Sequence, residues 1–230
     1  MNGLEVNVGI LDCGIIKDDQ RHRAQKIQKI YSDLGIKSQI IKIVEGEKIS
    51  SLDLFSHFIV TGSGFDYDVD LEQIDYLKLQ INLIGEKNIP TLGICFGAQV
   101  IANEFGGVVE KQNCGEIGFC EIEILKEHKI FSNINNCAKV FQYHFDHIKQ
   151  IPDCGDLIAR SDCCNQGFSF KNFIGIQFHP EIDHSFAKCE YNQIREKLMM
   201  DHNVCENKFT QNFCPDNQIE KVFNNFISYF

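Results

Sequence analysis

The stretch Ile89-Pro90-Thr91-Leu92-Gly93-Ile94-Cys95-Phe96-Gly97-Ala98-Gln99 decides the fold. After Pro90, Thr91 to Ile94 form a short apolar run of the kind a strand buried on both faces uses. A helix begins at once, with Ala98, Ile101, Ala102 and Phe105 on one face and Gly106 after it. Gly93-Ile94-Cys95-Phe96-Gly97 has the form G-x-C-x-G at that junction, the thiol counterpart of the nucleophile elbow. Its glycines admit a tight turn. The turn sets the sulfur at a helix N-terminus, where partial positive charge favours thiolate over thiol. In isolation the segment also fits a buried cysteine at a strand end.

Outward from the elbow, apolar runs alternate with amphipathic stretches. Val6, Val8, Ile10 and Leu11 predict a first strand. Ala24, Ile27, Tyr31 and Leu34 predict a helix over 20–34, stopped by Gly35. Strands follow at 40–44 and 58–60, the latter running into Thr61-Gly62-Ser63-Gly64. Asp70 with Gln73 reads as a capping box for a helix carrying Ile74, Leu77, Ile81 and Ile84, stopped by Gly85. The second half is richer in β, with strands expected near 119–125, 138–143, 156–160, 166–170 and 173–178. A last helix carries Ile219, Val222, Phe223, Phe226, Ile227 and Phe230, with Asn217 and Glu220 as a capping box. Asn-rich stretches at 133–136 and 203–217 read as loops. The alternation predicts an α/β fold: a mainly parallel central sheet with helices on both faces, plus a small antiparallel β portion. One domain is expected over 1–230, its segment from about 184 helical. Ligands of such sheets bind at the carboxyl ends of strands, which places Ser63, Cys95 and the residues after Phe178 on one edge.

Composition narrows the function. The 230 residues hold 22 Lys plus Arg against 32 Asp plus Glu, a formal charge of −10. No basic cluster suits a nucleic-acid backbone, and no apolar run reaches membrane-spanning length. The 11 cysteines are an odd number, and the start, Met-Asn-Gly-Leu-Glu-Val-Asn, lacks the pattern of a secretory signal. Free thiols in a reducing, cytoplasmic compartment are expected. Cys163-Cys164 reads as two thiols on opposite sides of an extended segment. Cys189, Cys205 and Cys214 with His184 and His202 lack zinc-site spacing, so no metal is expected.

A thiol nucleophile needs a base and a group that orients the base. Phe173-Ile174-Gly175-Ile176-Gln177-Phe178 reads as a strand ending in His179-Pro180-Glu181. Pro180 keeps His179 extended, and Glu181, two residues on, lies on its side of the chain. The carboxylate can then hold one imidazole nitrogen while the other faces Cys95. The glycine-containing turn at 61–64 can aim a backbone N–H at developing negative charge, with the Phe96 amide as a second donor. Each piece alone also fits an ordinary strand end. Asp12, Cys13 and His22 read as structural, and His144 and His147 fit either a substrate-facing or a packing role.

In this order, the pieces resemble the class I (triad) glutamine amidotransferase family, in its GMP-synthase-like, free-standing branch. The resemblance rests on residues 89–99 and on Gly175 to Glu181. It extends through Thr61-Gly62-Ser63, Gly115-Glu116-Ile117-Gly118-Phe119 and Tyr143-His144-Phe145-Asp146. It implies a flavodoxin-like sheet, with Cys95 as nucleophile, His179 as general base and Glu181 as orienting carboxylate. It implies an oxyanion hole from the amides of Ser63 and Phe96, with Gly62 at the same turn. Gln99 matches a glutamine-contacting position, and Tyr143, His144 and Phe145 match a loop whose backbone holds the α-amino and carboxylate groups. No cofactor is implied. The implied partner is an ammonia-accepting synthetase or a further copy of the chain. Three positions depart from the family's pattern: Ser63-Gly64-Phe65 where glycine or proline is frequent, Phe119 where Trp is frequent, and Ala98 where many relatives have His. Two other functions stay open: cleavage of γ-glutamyl peptides with the same triad, and a non-catalytic binding or regulatory role.

Overall fold

The computed structural model describes residues 5–14, 21–64, 70–183, 185–187 and 218–230. Among the described residues, nine strands form one sheet in the order β2-β1-β3-β4-β9-β8-β7-β5-β6. Five of them pair in parallel: β1 (Asn7–Asp12), β2 (Lys37–Lys42), β3 (His57–Val60), β4 (Thr91–Ile94) and β9 (Phe173–Ile176). The antiparallel portion is β5 (Val108–Ile124), β6 (Cys137–Gln150), β7 (Asp156–Arg160) and β8 (Asn165–Phe170). It is larger than the small portion the alternation predicts and continues the same sheet.

Helices cover both faces, as the alternation predicts. On one side α1 (Arg21–Asp33) and α4 (Lys221–Tyr229) pack with Val8, Ile10, Leu92, Ile94, Ile174 and Ile176. On the other, α2 (Glu72–Glu86) and α3 (Phe96–Glu104) pack with Leu11, Phe58, Val60 and Phe173. Strands β3, β4 and β9 are buried at every position, so they read as continuous apolar runs rather than as alternation.

Several local expectations change. Ile43 and Val44 lie in a 3-10 turn after β2, ended by Gly46 at φ 86°. Asp70 does not cap α2; its N-cap is Leu71, with no side-chain bond. Gly85 does not stop α2 but sits within it, against the rings of Phe173 and Phe105. Helix α4 starts at Lys221 behind Glu220, not behind Asn217, which lies outside the described residues. Stretch 203–217 also lies outside them, as do His184, Cys189, His202, Cys205 and Cys214. Residues 143–146 do not form a loop but lie inside β6, where Tyr143 pairs with Ile117 and His144 with Glu116 of β5.

Candidate active site

The parallel pairing of β4 with β9 builds the centre. Ile94 is in register with Ile176, and Cys95 N–H continues the ladder to Ile176 O at 2.8 Å. Cys95 therefore leaves the sheet edge beside the segment that carries Gln177 and His179. It is the N-cap of α3 and holds φ 49° and ψ −108°, a conformation few residues with side chains adopt. Gly97 permits that turn, since a Cβ there would lie 2.3 Å from Val60 O.

His179 is fully buried, its N–H bonded to Phe141 O of β6 at 2.9 Å. Its Nδ1 lies 2.8 Å from Glu181 Oε1. That leaves Nε2 for Cys95, which is hydrogen-bonded to the imidazole. Burial and the Arg23 guanidinium oppose charge on the ring, but Glu181 and Cys95 outweigh them and raise its pKa to about 9. Glu181, also buried, is pushed up by burial and pulled below the usual carboxylate range by His179 and then Arg23. The structure thus brings Cys95, His179 and Glu181 together.

Gly62 closes the site from β3. A Cβ on it would stand 2.9 Å from His179 Cε1 and 3.6 Å from Cys95 Cβ, so a side chain there would displace the imidazole. Thr61 supports the turn through its hydroxyl, which accepts from Cys13 N–H at 2.9 Å and donates to Gly62 O at 3.1 Å. Ser63 is half-buried at the same strand end, and Phe96 is the first residue of α3 and 1% exposed. Cys13 and Asp12 serve this turn from β1; the side chain of His22 lies outside those described.

The substrate-side residues divide. Tyr143 O lies 4.0 Å from Cys95 Sγ, and Phe145 packs beside Gly115. His144 instead points into a buried polar chain. Gln177 Nε2 donates to Cys95 Sγ at 3.6 Å, and Gln99 Nε2 donates to Gln177 Oε1 at 3.3 Å and to Asp146 O at 2.8 Å. His144 Nδ1 meets the same carbonyl at 3.1 Å, and its Nε2 faces Gln142 Oε1 at 3.2 Å and Glu116 Oε2 at 3.4 Å. Gln142 Nε2 donates to Gln166 Oε1 at 2.7 Å, and Gln166 Nε2 to Glu116 Oε2 at 2.6 Å. A carboxylate can only accept, so Glu116 sets the direction of both amides, and His144 faces oxygen on both sides. Burial pushes Glu116 up, but His144, Cys164 and Ser161 hold its carboxyl below the ordinary range. Glu116, His144 and Cys164 are donors that could group around a metal, although the hydrogen bonds above already occupy them.

Sequence reading missed Arg23, Gln142, Gln166 and Gln177. Arg23 falls on the Ile27–Tyr31 stripe of α1, and Gln142 on the inward-facing alternation Ala138, Val140, Gln142, His144 of β6. A polar residue on an apolar face was the available signal. Phe119, in place of the family's Trp, packs edge-on to Phe141 at 5.6 Å, and Phe141 in turn lies against His179 at 6.3 Å. No disulfide joins the seven cysteines whose side chains are described, with Cys163 exposed and Cys164 half-buried on Glu116.

Comparison with known proteins gives the family and the fold. The family model for class-I glutamine amidotransferase matches residues 17–195. A glutamine-hydrolyzing GMP synthase subunit from Pyrococcus furiosus is 32% identical over 174 residues, 74% of this chain and 90% of that one. The glutamine-hydrolyzing GMP synthase of Ruthia magnifica is 29% identical over 223 residues, 94% of this chain and 40% of that one. The crystal structure of a glutamine amidotransferase from Thermotoga maritima shares the fold, with TM-score 0.81 and 22% identity, covering 98% of this chain and 96% of that one. The chain is an enzyme that belongs to the class-I glutamine amidotransferase family.

Proposed function

We propose that the chain hydrolyses the side-chain amide of glutamine with Cys95, His179 and Glu181. The observation that carries this reading is the buried Glu181–His179 pair at 2.8 Å, with the imidazole bonded to a cysteine at a helix N-terminus. Glu181 fixes the orientation of the ring, and Nε2 already holds the thiol proton when Cys95 Sγ attacks the amide carbon. The tetrahedral oxyanion meets the backbone amides of Ser63 and Phe96. His179 returns the proton to the departing nitrogen, the C–N bond breaks, and ammonia leaves a γ-glutamyl thioester. Water, deprotonated by the same imidazole, resolves the thioester to glutamate. No step needs a metal or organic cofactor.

Gln99, Gly62, Tyr143, His144 and Phe145 then shape the glutamine site, His144 through the β6 backbone it braces rather than by direct contact. The relatives named as GMP synthase subunits supply the reading of the partner: a separate synthetase subunit that takes the ammonia. Seven described cysteine side chains without a disulfide suit a cytoplasmic, reducing setting, and no described helix is long and apolar enough to cross a membrane. The test is release of ammonia and glutamate from glutamine, beside γ-glutamyl peptides as competing substrates. Glutamine turnover that disappears in Cys95→Ala supports the reading. Faster cleavage of γ-glutamyl peptides, or turnover surviving in Cys95→Ala, overturns it.

A further inference from the structure

Arg23 lies in the first turn of α1 and is only 3% exposed. Burial removes its water, and the helix N-terminus is itself partially positive. Its Nη1 lies 3.2 Å from Nδ1 of His179 and 3.2 Å from Nε2. In the ring plane, an atom at that range from both nitrogens would collide with Cε1 between them. Nη1 therefore sits over the face of the imidazole. It also lies 3.5 Å from the point a Cβ on Gly62 would occupy, so the missing side chain of Gly62 leaves space for both groups.

Among the described residues, the charged and titratable groups facing His179 are few. Glu181 approaches from its own segment, Cys95 from the elbow and Arg23 from α1. Strand β6 contributes only Phe141, and Lys26, one turn along α1 from Arg23, is paired with Asp183. Glu181 and Cys95 hold a proton on the ring, and Arg23 opposes it.

We propose that Arg23 is a positioning residue for the reaction: its cation, held over the ring face, balances the buried carboxylate of Glu181, so that His179 can give up the proton it takes from Cys95. This rests on the triad reading. The proton from the thiol is held on Nε2 while the S–C bond forms, and the same proton passes to the leaving nitrogen as the C–N bond breaks. With Glu181 alone beside it, the ring would hold that proton too firmly to return it efficiently.

The experiment is a pH titration of His179 by nitrogen-resolved NMR in the intact protein, in Arg23→Met and in Arg23→Lys, beside the pH profile of glutamine hydrolysis. Removing a nearby cation favours the imidazolium. Arg23→Met should therefore raise the His179 midpoint by about one pH unit or more, and move the matching limb of the rate profile the same way. Arg23→Lys keeps the charge and should stay closer to the parent midpoint. An unmoved midpoint in Arg23→Met, or equal shifts in both variants, overturns the proposal. If Arg23→Met does not fold, Arg23→Gln takes its place under the same two outcomes. If His179→Asn still hydrolyses glutamine, the triad reading fails, while the midpoint in the Arg23 variants still reads on Arg23 separately.

Discussion

Cys95 carries a conformation, φ 49° and ψ −108°, that costs about 1–3 kcal/mol for a residue with a side chain. The strain aims the sulfur off the sheet, so stability and placement of the thiol are in opposition at this residue. Cys95→Gly should therefore be more stable than Cys95→Ala by about 1 kcal/mol, while both lose activity, as chemical denaturation and a glutaminase assay would show. The pair beside it makes stability depend on pH. His179 has its pKa raised from 6.5 to about 9, so its contribution is complete below pH 6.5 and is lost as pH rises through about 9. Glu181 is depressed, so its contribution is present above the ordinary carboxylate range and is lost as pH falls through its lowered value. His179→Asn should flatten the alkaline decline in a melting-temperature series, and an unchanged decline would contradict the pairing. Glu181→Gln should lower kcat by about 10²–10⁴, as measured in steady state. Cys95, His179 and Glu181 were legible because each sits in a short motif whose local geometry is fixed by Gly or Pro. Arg23 was not, because it meets His179 from 156 residues away and only the third dimension joins them.

At the scale of elements, the long β5–β6 ribbon explains what sequence patterns misplace. Residues 143–146, which the family resemblance implies are a loop, pair with β5 as strand, with a register shift between Lys111 and Glu116; their polar members are His144 and Asp146. Their polarity is directed inward, to the chain from Cys95 through Gln177, Gln99, Asp146 O, His144, Gln142 and Gln166 to Glu116. A buried chain of this kind fixes the backbone only when every member is satisfied. Glu116→Gln can donate where the carboxylate could only accept, so the two amides lose their set direction. The expected result is about tenfold lower kcat/KM for glutamine together with a lower melting temperature. Kinetics indistinguishable from the parent protein would show that the chain does not brace the substrate side. Capping boxes were misread at both α2 and α4 because the pattern of residue types alone does not say which residue turns out of the helix.

Across the whole molecule, the two helical layers make the sheet edge a fixed platform for the site. The alternation of apolar runs showed those layers in advance, because parallel strands buried on both faces need helices on both. What it did not show is how far the antiparallel strands extend the sheet, since single-strand patterns carry no information on neighbours. Helix α4 packs against α1 and β3, with Phe223 edge-on to Tyr31 at 5.9 Å and Phe226 against His57 at 5.3 Å. Phe223→Ala should cost about 3–5 kcal/mol in denaturant unfolding. A loss below about 1 kcal/mol would mean that α4 is not part of the core.

The claim at the centre is that Cys95 becomes acylated by glutamine. Acid-quenched mass spectrometry of the enzyme during turnover, with peptide mapping, tests it most directly. The account predicts a γ-glutamyl adduct on the peptide containing Cys95, absent in Cys95→Ala. Turnover with no adduct on Cys95, or an adduct on another cysteine, would contradict it.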